Sequence, residues 1–381
     1  AFYVIDARDP VRARHRDELT ILGWSARPVV PVLNFAADAT ARVDAWRDQL
    51  RRVNMHATAE FDTVVYDAGG ERRLFEKLRT MLHEASEVLD ALARARAAER
   101  AELVRAAARI TAEMLVDVAA FAVSVPASAV AGRPGGRTPE SPDPSPWIER
   151  LQAAFGGREA VATRRMLDRF RFETQAVDVP ELGIRDGRWG LDVFSPEAIR
   201  RWGSRAGGGA AAGAAVGLGI DAAVGGLSLG AGAVSGAIIG AVAGFGRTQG
   251  RRLLDRVRGT SELRADDATL QRLAGRQMLL AATLLRRGHA AVGPVRPREG
   301  GAADRAADAA TLTPEAIARV RRALGEARGH RAWAIEIAEG EGPASPGRPE
   351  TADFADAGRR ALVDRIGEEL ERALRPLAVP D

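Results

Sequence analysis

The sequence predicts an α/β N-terminal part built on parallel strands, followed by a mainly α-helical region with a glycine-rich helical hairpin at its centre. Three observations carry this expectation. The first ninety residues alternate short apolar runs with helical stripes, the pattern of a sheet layered with crossover helices. From Glu71 onward apolar residues recur at helical spacing. Residues 206–246 hold a single charge, Asp221, in a run made mostly of Gly and Ala.

In chain order, Phe2–Asp6 (FYVID) is a short apolar strand that opens without a lead-in, which predicts further chain before Ala1 and one side of this strand without a partner. A helix follows from about Val11 to Leu22, with Leu19 and Leu22 as its stripe. Pro28–Asn34 (PVVPVLN) is apolar and β-branched, as suits a parallel strand covered on both faces. Thr40–Val53 is helical with Val43, Trp46 and Leu50 on one side, and an extended stretch lies between Ala57 and Tyr66. Helix resumes at Glu71, marked by Leu74, Leu78 and Leu82, and continues to Val125 with a break expected near 96–101. Strand and helix in this order imply a right-handed parallel layer.

A Pro/Gly/Ser-rich linker over 126–146 separates this from a helix at Trp147–Phe172. Residues 178–203 alternate around Asp186-Gly187, a hairpin signal. Ser195-Pro196-Glu197 and Thr313-Pro314-Glu315 read as capped helix starts. Arg251–His289 is amphipathic helix with a break near Gly259, and Asp266-Asp267 reads as a helix N-cap pair. A final helix spans Asp353–Leu374 on Leu362, Ile366 and Leu370. The expected organisation is therefore 1–90, 91–205, the hairpin 206–246 and 247–381.

Composition removes several chemistries. There is no Cys, which excludes disulfides, thiolate zinc sites and Cys nucleophiles. The five His lie in different elements without ligand spacing, so neither a metal site nor a catalytic set is expected. The formal charge of +4 is small for 381 residues, and a nucleic-acid interface needs clustering rather than totals. Arg164, Arg165, Arg169 and Arg171 form one such cluster, and it reads as a solvated helix face.

The Gly/Ala run places glycine on helical registers, at Gly209, Gly213 and Gly217 and again at Gly232, Gly236, Gly240 and Gly244. Such spacing lets two backbones approach closely, while each interior Gly costs roughly 1 kcal/mol against Ala in a helix. The two halves, divided near Asp221–Gly226, are expected as antiparallel helices. Arginines flank both ends, among them Arg205 and Arg247, as for a hairpin entering a membrane from the cytoplasmic side. A soluble hairpin packed inside the helical region is the competing expectation.

The N-terminal elements resemble an Era-like P-loop GTPase from its fourth strand onward. VIDARDP (4–10) looks like the strand after the second switch, and Pro28–Asp38 occupies the place of the guanine-specifying N-K-x-D motif. The resemblance implies that Asn34 contacts the base, that Asp38, one residue late, stands for the motif's carboxylate, and that Ala68 in Tyr66-Asp67-Ala68-Gly69 backs the base. Phe35 replaces the motif's Lys. The stretches around Arg188-Trp189-Gly190, the glycine-rich run and Gly250–Gln277 further resemble bacterial Era-like GTPases with a long C-terminal domain of unknown function. GTP and Mg²⁺ are the cofactors this implies for an intact member. Neither is expected to bind this chain tightly, because no G-x-x-x-x-G-K-S/T is present and Lys77 is the only Lys.

The implied function is a GTP-binding switch whose state is felt by the helical region. It is expected in the cytoplasm, with inner-membrane contact through 206–246 and guanine nucleotide as ligand. Two alternatives stand beside it: a non-enzymatic membrane anchor or scaffold, and an Arg-rich helical nucleic-acid binder, the latter not favoured.

Overall fold

The structure, a computed structural model, describes residues 1–25, 27–63, 68–126, 145–171, 184–185, 188–189, 260–286, 312–334 and 356–378. Over these the chain is mostly helical, with a small parallel sheet at its N-terminus. The elements are β1 (Phe2–Asp6), α1 (Ala13–Trp24), β2 (Val30–Asn34), α2 (Val43–Arg52), β3 (Ala59–Glu60), α3 (Ala68–Met81), α4 (Ser86–Ala120), β4 (Ala122–Pro126), α5 (Ser145–Arg169), β5 (Ile184–Arg185), β6 (Arg188–Trp189), β7 (Thr260–Arg264), α6 (Asp267–Arg286), α7 (Pro314–Ala327) and α8 (Ala357–Ala378). The Gly/Ala run, the linker 127–144 and the Ser195 cap lie outside the described residues. No helix among the described residues is long and apolar enough to cross a membrane.

Two compact units emerge, the first comprising 1–104, 281–309 and 374–381, the second 105–280 and 310–373. In the first, β1, β2 and β3 form a parallel sheet in that order. Among the described residues β1 pairs with β2 alone. Alternation along the strands decides which helix layer each residue meets. Ile5 and Leu33 point to a core with Leu19 of α1 and with Trp46 and Leu50 of α2. Val30, Val32 and Ala59 point the other way, toward Leu78 of α3, with Leu89 of α4 packed against them.

β3 is shorter than the sequence suggests, and Pro31 supplies a reason. Val30 N–H donates to Ala1 O at 2.9 Å and Phe61 N–H to Leu33 O at 3.2 Å. Even-numbered residues of β2 therefore bond β1, and odd-numbered ones face β3. Pro31 has no N–H to give on that side, and pairing starts only at Val32 opposite Ala59.

Two further expectations are corrected. The helical stretch does not break near 96–101: α4 runs unbroken for 35 residues, and the break is a 3₁₀ turn at His83–Ala85. Nothing between Ser86 and Ala120 is Gly or Pro, so no residue there interrupts the hydrogen-bond ladder. Residues 122–126 and 260–264 are strands rather than helix, paired antiparallel as β4 and β7.

In the second unit every residue from Ile110 to Ala120 is buried, which makes this half of α4 the unit's central element. Its neighbours start where the sequence places their caps. Thr269 N–H donates to Asp266 Oδ1 at 2.7 Å at the head of α6. Ala316 N–H donates to Thr313 Oγ1 at 3.2 Å at the head of α7. On either side of Asp186-Gly187, which lie outside the described residues, β5 and β6 pair antiparallel with Arg185 opposite Arg188.

Candidate functional site

The carboxyl ends of the three parallel strands gather Asp6, Arg8, Asn34, Phe35, Asp38 and Thr63. In open α/β sheets ligands bind at this end, outside the strand termini. Asn34 is the last residue of β2. Its side-chain oxygen accepts three hydrogen bonds, from Phe35 N–H at 2.9 Å and from Thr63 N–H and Oγ1–H at 3.0 Å each. A carbonyl oxygen so used has no lone pair left, while Nδ2 bonds no described residue. The amide is thus fixed in orientation and offers only donors.

Asp38 lies in the same loop, its N–H donating to Phe35 O at 3.0 Å. Its Oδ1 accepts both Thr40 N–H and Thr40 Oγ1–H at 2.8 Å. Ala37 N–H donates to Asp62 Oδ2 at 3.2 Å, tying the loop to the segment after β3. Between Asn34 and Asp38, Phe35 adopts a left-handed backbone with φ of 57°, an outlier for a bulky residue. Its ring carries the Arg8 guanidinium at 3.8 Å from the centroid. Arg8 is itself held by Asp6 through Nε at 2.9 Å and NH2 at 2.6 Å. That pairing keeps the Asp6 carboxyl below the usual carboxylate range.

Of the three residues that the sequence nominated, the structure brings Asn34 and Asp38 into one loop. Ala68 opens α3, and residues 64–67 leading to it lie outside the described residues. Thr63 and the Arg8–Phe35 stack were not nominated. Arg8 sits in the quoted VIDARDP segment, but no spacing rule places residue 8 over residue 35. On the α1 side of β1 a cavity of about 260 Å³ is lined by Tyr3, Asp9, His15, Glu18 and Trp46, among others. There Tyr3 O–H donates to Glu18 at 2.5 Å, and burial with that carboxylate pushes the phenol well above its usual range.

The second unit contains a buried ionic core that the sequence did not reveal. Asp117 of α4 accepts Arg158 Nε–H of α5 at 2.7 Å and Arg359 NH2 of α8 at 2.6 Å, with side chains 0 to 3% exposed. One turn earlier, Glu113 pairs with Arg109 at 3.1 Å and Arg165 at 3.0 Å. Glu159 pairs with Arg276 at 3.1 Å, and Arg276 also lies 4.3 Å from the Trp189 ring centroid. Gln277 donates to Thr163 at 2.9 Å. Buried charges persist when paired and hydrogen-bonded, and here they join four helices and strand β6. The arrangement is a clamp, with each carboxylate already answered by guanidinium. Among the described residues no three His, Asp or Glu side chains gather closely enough to hold a metal ion.

Comparison with known proteins gives one match. No curated protein and no solved structure matches the chain. Residues 47–343, from within α2 to beyond α7, match a domain of unknown function, DUF3482. The chain belongs to the DUF3482 domain family.

Proposed function

We propose that the N-terminal unit is the base-reading part of a nucleotide switch of the Era-like GTPase kind, whose state is passed to the helical unit. The observation that carries this reading is Asn34. It stands at the carboxyl end of a parallel strand, its oxygen consumed by Phe35 and Thr63, so that its amide nitrogen is presented in a fixed direction. Fixing a recognition group before the ligand arrives lowers the ordering cost of binding.

The residues present fit a purine base and not a triphosphate with Mg²⁺. Lys77, the only Lys in residues 1–381, donates to the Thr58 carbonyl, and these residues hold no G-x-x-x-x-G-K-S/T run. GTP and Mg²⁺ therefore remain ligands of an intact switch, and this chain supplies base contacts without the phosphate grip that phosphoryl transfer needs. Membrane contact through 206–246 rests on glycine spacing and on flanking arginine alone. Liposome flotation of the chain and of a variant with leucine at Gly232, Gly236, Gly240 and Gly244 tests that contact.

The test of base reading is an amide NMR titration of the chain with millimolar guanosine 5′-monophosphate. The expected result is a shift of the Asn34 side-chain amide and of residues 34–40. Shifts confined to any other part of the chain would refute base reading at β2.

A further inference from the structure

We infer that this strand-end site takes purines without selecting guanine over adenine, holding the base by stacking on the Arg8–Phe35 pair. The inference rests on the nucleotide reading above and narrows its ligand class.

The argument begins with the groups that face a base. Guanine is told from adenine by N1–H and the exocyclic 2-amine, two adjacent donors that a carboxylate reads with both oxygens. Asp38 is the carboxylate in this loop, but its Oδ1 already accepts two hydrogen bonds from Thr40 at 2.8 Å. A two-oxygen contact is closed to it while the loop keeps this form. Asn34 offers only Nδ2–H, because its oxygen is filled. A lone donor suits purine N7, an acceptor that adenine and guanine share. Strong discrimination requires a buried polar group that the wrong ligand leaves unpaired, and no such group stands in this loop among the described residues.

Stacking remains as the source of affinity. Phe35 is held at φ 57° by hydrogen bonds on both of its peptide groups, N–H to Asn34 and C=O from Asp38. Backbone outliers of this kind persist only where the surroundings over-determine them, and they collect at functional sites. Arg8 covers one face of the ring, and no described aromatic or cationic group contacts the other face of this half-buried side chain. In this proposal the planar ligand stacks on that second face, one residue along the chain from the Asn34 donor. Asp6 holds the Arg8 guanidinium in place through Nε and NH2.

The experiment compares guanosine, adenosine and cytidine 5′-monophosphates by amide NMR titration of the whole chain, following the Asn34 side-chain amide. Expected are purine dissociation constants within about fivefold of each other, and cytidine weaker by about tenfold for its smaller ring and missing N7. Phe35→Gly should weaken both purines by about tenfold or more. Glycine accepts φ 57°, so the variant keeps the loop. Arg8→Ala should weaken both purines in equal proportion. Guanosine binding more than about thirtyfold tighter than adenosine overturns the inference and leaves the nucleotide reading standing. Purine binding unchanged in Phe35→Gly overturns the stacking platform in the same way. No shift with any purine removes both the inference and the reading beneath it.

Discussion

Replacing Asp117 by Asn is the sharpest perturbation that the helical unit offers. The carboxylate is fully buried and receives two charge-assisted hydrogen bonds, from Arg158 at 2.7 Å and Arg359 at 2.6 Å. Each such bond is worth roughly 1.5–3 kcal/mol. The substitution also leaves two guanidinium groups, 0% and 3% exposed, facing an amide that presents donors of its own. Removing one side of a buried ion pair costs about 3–5 kcal/mol, so about 4 kcal/mol is expected here. Native-state hydrogen exchange of the amides from Ala107 to Ala120 reads this opening free energy directly. Exchange should accelerate by about a thousandfold, since each 1.4 kcal/mol is a factor of ten. The exposed pair Arg365–Glu326, with side chains 56% and 51% exposed, serves as control, and Glu326→Gln should cost under about 1 kcal/mol. Replacing Asp117 by Leu with Arg158 and Arg359 both by Met should recover most of the loss, because no buried charge is then stranded. Less than tenfold acceleration in Asp117→Asn would refute the view that this cluster holds the unit together.

Other consequences follow at separate places in the fold. Asp356 accepts Trp333 Nε1–H at 2.7 Å and Glu369 is held by Arg319, and these bonds place both carboxyls below the usual range. Their folded values lie under the unfolded ones, so their stabilisation is complete above about pH 4 and lost as pH falls through the lowered values. The Trp333 indole NMR signal should stay native from pH 8 to about 5 and lose dispersion only in more acid solution; loss above about pH 5 refutes the assignment. Thr313→Ala should cost about 1 kcal/mol through its cap to Ala316, seen as faster exchange in the first turn of α7. In the strand-end loop, Asn34→Ala strands the Phe35 and Thr63 donors and should cost about 1–3 kcal/mol. Phe35→Gly should stay within about 1 kcal/mol of the native protein in thermal unfolding, because relief of the left-handed strain offsets the lost cation–π contact.

Much of the N-terminal layer was legible because its signals are local. Pro28–Asn34 announces β2 by composition, and Val43, Trp46 and Leu50 announce the buried face of α2, where Trp46 and Leu50 are buried in the structure. The caps at Asp266 and Thr313 and the pairing of the short strands that flank Asp186-Gly187 were equally plain, since each needs only a few neighbouring residues. β4 and β7 were missed for the opposite reason. Ala122–Pro126 follows a helix without a break signal, and its partner lies at Thr260–Arg264. Either segment alone is a five-residue run that passes for a helix end. Asn34 could be nominated from its place at a strand end, but Thr63, which fixes its orientation, lies 29 residues away. The Arg8–Phe35 stack joins residues 27 apart through a backbone conformation that no pattern encodes.

By itself the sequence determined where apolar stripes run, where helices are capped, that thiol chemistry is closed to this chain, and that a glycine-lined segment lies at its centre. Tertiary structure alone decided that Asp117 should meet Arg158 and Arg359, from three helices spread over 242 residues, and that Asn34 should keep only its donors. The physical reason is range. Periodicity, capping and turn chemistry act within a few residues and are written along the chain. Pairing of buried charges and saturation of a side-chain oxygen depend on which distant segments pack together, and that is settled only when the chain has folded.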